Sequence, residues 1–189
     1  MIIDTIKSNF KIILFGFIFT FASSVGQSFF IGLFNSEIRS ELNISHGEFG
    51  TIYGIATLCS SLVFIWVGKK IDDFKLVYYS IFVVLLLTFA SLFFSYVNGA
   101  LLLLVGIFLL RLSGQGLMSH TPTTAISRYF EKRRGKALSI IWLGMSLGEF
   151  LLPVLIVYLL SFIYWRDLWI HISITILIFL PLISFYTTK

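Results

Sequence analysis

The 189 residues predict an all-α polytopic membrane protein with six crossings, and three observations carry that reading. The chain is 58% apolar and only 12% charged, about half the charge of a soluble domain. Its mean hydropathy is +0.97. The charges gather in short clusters between apolar runs long enough to cross a hydrocarbon core, which takes about 20 helical residues. Together these exclude a disordered chain, a coiled coil, a collagenous fibre and an ordinary water-soluble enzyme. Barrel strands are excluded as well, because they run about 9–11 residues and alternate apolar with polar.

Taken in order, the spans are expected at about 12–34, 49–67, 76–97, 100–121, 137–160 and 166–187. The first is too long for the apolar core of a cleavable signal, and no A-x-A-like site ends it. The third carries no charge from Leu76 to Phe94. The fourth opens with an almost unbroken Leu, Val, Ile and Phe run, and Pro122 follows it. The loops are short, so neighbouring spans form antiparallel hairpins.

Orientation follows from the basic residues. A cytoplasmic N-terminus puts Lys7, Lys11, Lys69, Lys70, Lys75, Arg128, Lys132, Arg133, Arg134, Lys136 and Lys189 on the inner side, eleven against Arg39 and Arg166 outside. Both termini are therefore expected to be cytoplasmic, in the cell membrane. The net charge of +5 then reports topology and the lipid bilayer as a partner, and no nucleic acid is implied. Trp66, Tyr96, Tyr158, Trp165 and Trp169 lie near span ends, as interfacial aromatics do. One cysteine, Cys59, and three histidines supply neither a disulfide framework nor a metal site. No Gly-rich phosphate loop with a following Lys occurs, and no cofactor is expected. Ser113, with His120 or His171 as base, lacks a Gly two residues before it, so no enzyme is expected.

A shift of 88 residues lays spans four to six on spans one to three and puts Gly114-Gln115 on Gly26-Gln27. Three crossings end on the far side of the membrane, so such a repeat is inverted, as in transporters.

Arg111 is the one cation inside a span. It lies 12 residues from Gly99, about 18 Å deep, where a charge costs at least about 2.5–3.5 kcal/mol. It should face the bundle interior with a partner. Gln115 stands four residues on, and Glu149 reaches a similar depth in span five, about 20 Å from Lys136. Two readings stay open. In one, Arg111 and Glu149 merely neutralise each other. In the other, Arg111 binds an anionic substrate, or is released when Glu149 takes a proton. Gln27 and Gln115 either hydrogen-bond substrate or tie helices together. His120 and His171 either move a proton or sit idle near span ends. The pairs Gly144/Gly148 and Gly50/Gly54 are expected to admit close helix packing, and Pro153 to bend span five.

Several segments carry a family likeness. Gly68-Lys-Lys-Ile-Asp72-Asp73 follows span two, Arg111-Leu-Ser-Gly114-Gln115-Gly116 lies in span four, and Arg133-Arg134-Gly135-Lys136-Ala137 opens span five. Gly144-x-x-x-Gly148 with Pro153 lies within span five, and Trp165-Arg166 precedes span six. In order and spacing this set resembles the major facilitator superfamily over about residues 47–170. Asp73 stands where that family usually carries Arg or Lys. The resemblance implies a secondary transporter working by alternating access, with Gly68, Asp72 and Asp73 at a conformational gate; Arg128 either anchors topology with the basic cluster up to Lys136 or pairs with Asp72 in that gate. It also implies that the chain is the N-terminal six-helix half, with a second half absent from it. A second half or a second copy is then the expected partner, and a small solute, such as an organic carboxylate, the expected substrate. The competing class is a six-helix subunit that only binds a partner chain.

Overall fold

The computed structural model describes residues 9–188, which hold helices and no strand. Lys7 and Lys189, counted above for orientation, lie outside the described residues. Six helices are long and apolar enough to cross a membrane: Phe10–Gly32, His46–Asp72, Leu76–Ser95, Ala100–Tyr129, Arg134–Leu160 and Trp165–Thr187. A short helix, Asn35–Leu42, fills the first loop and ends on Asn43 in the left-handed conformation. Span two then starts on a reciprocal cap. Glu48 N–H donates to Ser45 Oγ at 3.2 Å, and Ser45 N–H donates to the Glu48 carboxylate at 2.7 Å.

Two spans depart from the continuous helices expected. Span one is helical over Phe10–Ala22, tightens to a 3-10 turn at Ser23–Gly26, extends at Gln27, and resumes over Ser28–Gly32. Ser-Ser-Val-Gly is a weak helix former, and the extended Gln27 takes the Gly26 carbonyl out of the helical ladder. Span four widens to a π-helix over Arg111–Met118 and continues through Pro122 to Tyr129, eight residues beyond its expected end. Pro122 takes one N–H out of the ladder without ending the helix, and beside it Thr121 Oγ1 donates back to the Leu117 carbonyl at 2.7 Å.

The two irregular segments lie against each other. A Cβ on Gly114 would stand 2.6 Å from both Gly26 Cα and Gly26 N, and one on Gly26 would strike the span-four backbone at Leu110 and Gln115. Backbones approach this closely only where neither residue has a side chain. Around the crossing, span one packs along span five, span two along span four, and span three along span six. Span four is the most buried of the six, and spans two and five are the least. Gly144 and Gly148 seat span five on span one, against the Phe17 carbonyl and the Ser24 hydroxyl. Gly50 and Gly54 were expected to pack too, but a Cβ at either would meet no atom of a neighbouring span within 4 Å. Within this chain that stripe of span two faces away from span four. Pro153 sits inside an unbroken span five, where its missing N–H leaves the Glu149 carbonyl without its usual donor.

Trp165 and Trp169 are not interfacial aromatics. They are 2% and 0% exposed, whereas Trp66, Tyr96 and Tyr158 are well exposed. Trp169 packs on Phe30, Phe34 and Phe94 with ring centroids at 5.7, 5.0 and 4.7 Å. Trp165 is held by a polar knot at the end of the bundle away from residue 9. Glu41 accepts from Tyr164 Oη at 2.5 Å, Trp165 Nε1 at 2.7 Å and Arg166 Nε at 2.9 Å. Arg166 also donates to the Ser95 carbonyl at 2.7 Å, so the knot joins the first loop to spans three and six.

Burial pushes the Glu41 carboxyl up, but the bonds from Tyr164, Arg166 and Trp165 outweigh it and hold it below 4.5. A carboxylate depressed by folding adds stability that is complete above its unfolded value and is lost as pH falls through its folded value. Solvent screens this partly exposed carboxylate, so Glu41→Gln is expected to lower the thermal midpoint at about pH 7 by at most about 2–4 °C, the shift about 1 kcal/mol gives in a chain of this size. The difference from wild type should shrink once pH drops below about 4.5. A difference that is constant with pH in a thermal titration would show that the carboxylate is not what holds the knot.

Candidate functional site

Span four carries the site because its π turn brings a cation and polar side chains to one face. The face opens into a groove of about 390 Å³ between spans two and four, rimmed by Trp142 of span five. Arg111 and Gln115 lie at its deep part, and Ser119, His120 and Thr123 continue along span four. Thr57, Ser60, Ser61 and Phe64 line it from span two. No acidic side chain is among these residues.

Arg111 is 7% exposed. Its Nη1 donates to the Gly26 carbonyl and to Ser28 Oγ, both at 3.2 Å. The break in span one makes the first of these bonds available, because a carbonyl inside a regular helix would already be taken. The guanidinium lies over the Tyr53 ring, 5.4 Å from its centroid, as a cation–π pair. Nothing in the sequence marked Tyr53 or Ser28. The only signal that could have found Ser28 is its place just after the Gly26-Gln27 repeat dipeptide.

The expected pairing of Arg111 with Glu149 is not formed. Glu149 is exposed, and no described carboxylate lies within ion-pair distance of Arg111. The reason is rotational. Gly144 and Gly148 point span five toward span one, and the residue after Gly148 is turned about 100° away. Glu149 shares a stripe with Trp142, seven residues and about 10 Å along the axis. Gln115 does reach the groove. Gln27, half-buried at the break, does not line it.

The expected gate residues gather at the N-terminal end of the bundle. Arg128 pairs with Asp72, and both side chains are more than half exposed. Asp73 pairs instead with Lys70, at 2.8 Å. A Cβ on Gly68 would meet the Phe64 ring at 3.2 Å and His120 Cδ2 at 3.7 Å, so this glycine leaves room for both at the groove mouth. The His120 ring packs edge-on against Phe64 at 5.3 Å. His171 is exposed in span six, with Nδ1 2.6 Å from the Asp167 carbonyl, and does not line this groove.

A family model described as Major Facilitator Superfamily matches residues 16–189. No curated protein and no solved structure matches the chain.

Proposed function

The chain belongs to the Major Facilitator Superfamily, a family of transporters, and from that premise we propose that it carries a small organic anion by alternating access. The observation that carries the substrate class is Arg111: a nine-tenths buried cation in a groove with no acidic side chain. A buried charge persists only where something compensates it, and here two neutral oxygens and one ring do so in part. An anion entering the groove completes that compensation. Arg111 and Gln115 form the substrate pathway in this reading, and Glu149, on the Trp142 stripe, is an outlying candidate for ion coupling.

Alternating access needs two halves that move. The pairing of span one with five, two with four and three with six is the pattern an inverted three-helix repeat produces, with Gly26 and Gly114 meeting at its axis. The open Gly50/Gly54 stripe and the little-buried spans two and five suit a second six-helix half or a second copy of this chain. The same stripe is what favours the alternative, a six-helix subunit that only binds a partner. The basic residues between spans support cytoplasmic termini in the cell membrane.

The test is uptake of labelled organic acids, bases and neutral solutes into proteoliposomes. Uptake of acids, competed by other acids, is the expected result. Uptake of bases alone would overturn the substrate class, and no uptake of any solute alongside a stable complex with a second chain would favour the subunit. The Asp72–Arg128 pair serves as a gate in this reading. Because both partners are exposed, Asp72→Asn should change stability by less than about 1 kcal/mol. Its expected effect is on transport rate, and an unchanged rate in stopped-flow uptake would remove the gate role.

A further inference from the structure

Three buried polar atoms in or behind the groove have no hydrogen-bond partner in the protein: Arg111 Nε and Thr57 Oγ1, whose residues line the groove, and the hydroxyl of Tyr53, whose ring lies against the Arg111 guanidinium just behind it. Arg111 is 7% exposed. Tyr53 and Thr57 stand four residues apart on one face of span two, the face that meets Arg111. Buried donors without partners cost free energy, and three on neighbouring residues of two facing spans mark a place where an acceptor belongs.

We infer that Arg111 Nε, Tyr53 Oη and Thr57 Oγ1 form the receptor for the carboxylate of a small hydroxylated carboxylic acid. The inference rests on the anion-carrier reading above and names its substrate class. Nε–H and the two hydroxyls donate to the two carboxylate oxygens. Nη1 stays engaged with Gly26 and Ser28, which hold the guanidinium in place.

The rest of the groove sets the remainder of the molecule. Ser60, Ser119 and Thr123 donate their hydroxyl protons to carbonyls of their own helices, at 2.8, 2.5 and 2.7 Å. Their oxygens are left to accept from whatever occupies the groove. A substrate that fits therefore carries O–H donors beyond its carboxylate. An ammonium would find no counter-charge, since no acidic side chain lines the groove. A plain alkyl acid would leave these acceptors unmet, the kind of mismatch that sites built for hydroxyls reject.

The test is calorimetric titration of the purified full chain with sodium gluconate, sodium propionate and sorbitol. Gluconate should bind, propionate at least about tenfold more weakly, and sorbitol not at all. Tyr53→Phe removes one atom that bonds nothing in the protein, so folding is untouched. It and Thr57→Val should each weaken gluconate and propionate by the same factor, about three- to tenfold, whereas Thr57→Ser restores binding. Ser119→Ala should weaken gluconate alone. Gluconate binding unchanged in Tyr53→Phe and Thr57→Val but lost in Arg111→Gln would overturn this receptor and leave the anion-carrier reading standing. Propionate binding as tightly as gluconate would overturn the hydroxylated class. Binding of none of these acids, with uptake of bases, would overturn both.

Discussion

Arg111→Gln is expected to lower organic-acid uptake at least about 100-fold while the protein still inserts and remains helical. Glutamine can still donate toward the Gly26 carbonyl, so part of the tie to span one survives. The charge does not. Hydrogen bonds to a charged group are worth about 1.5–3 kcal/mol each, and each 1.4 kcal/mol is a factor of ten. Arg111→Lys keeps the charge but loses the planar fork that bonds Gly26 and Ser28 with one nitrogen and presents Nε to the groove. It should recover only part of the uptake. The measurement is initial uptake rate in proteoliposomes at matched protein density. Unchanged uptake in Arg111→Gln would remove Arg111 from the solute path.

Gly26→Ala and Gly114→Ala should be among the most destabilising single-methyl additions at the described glycines, together with Gly144→Ala, whose Cβ would also meet facing backbone, at the Phe17 carbonyl. The new Cβ meets backbone atoms of the facing span, and backbone cannot swing aside as a side-chain tip can. Overpacking costs about 1–3 kcal/mol where side chains give way, so about 3 kcal/mol or more is expected here. In detergent this should appear as a thermal midpoint lowered by about 6–12 °C. Gly50→Ala and Gly54→Ala are the controls. Nothing lies near either position, so alanine should be neutral or should stabilise the helix by up to about 1 kcal/mol. Equal midpoints for all four variants would mean that spans one and four do not cross at Gly26 and Gly114.

The crossing shows how much of the site was readable in one dimension. The repeated Gly-Gln dipeptide marked both places, but its spacing did not reveal that the two glycines touch. Arg111 stood out by depth alone, because a cation amid apolar residues is visible in any linear reading. Its partner was misread. Depth put Glu149 level with it, yet contact also depends on the rotation of each span, and span five is rotated by its two glycines onto span one. The partner used instead, the Gly26 carbonyl, is a backbone atom freed by a local break. Trp169 was misread for a related reason: position near a span end does not say whether a ring points outward or into a cluster of Phe30, Phe34 and Phe94.

By itself the sequence determined the six apolar rods, the depth of the guanidinium and the family pattern. Each of these follows from hydropathy and spacing, which add residue by residue along the chain. Tertiary structure alone decided which oxygens hold Arg111, which hydroxyls stand unpaired beside it, and which glycines are covered. Those depend on how each helix is turned about its axis and where it loosens, and both are fixed only when the spans pack together.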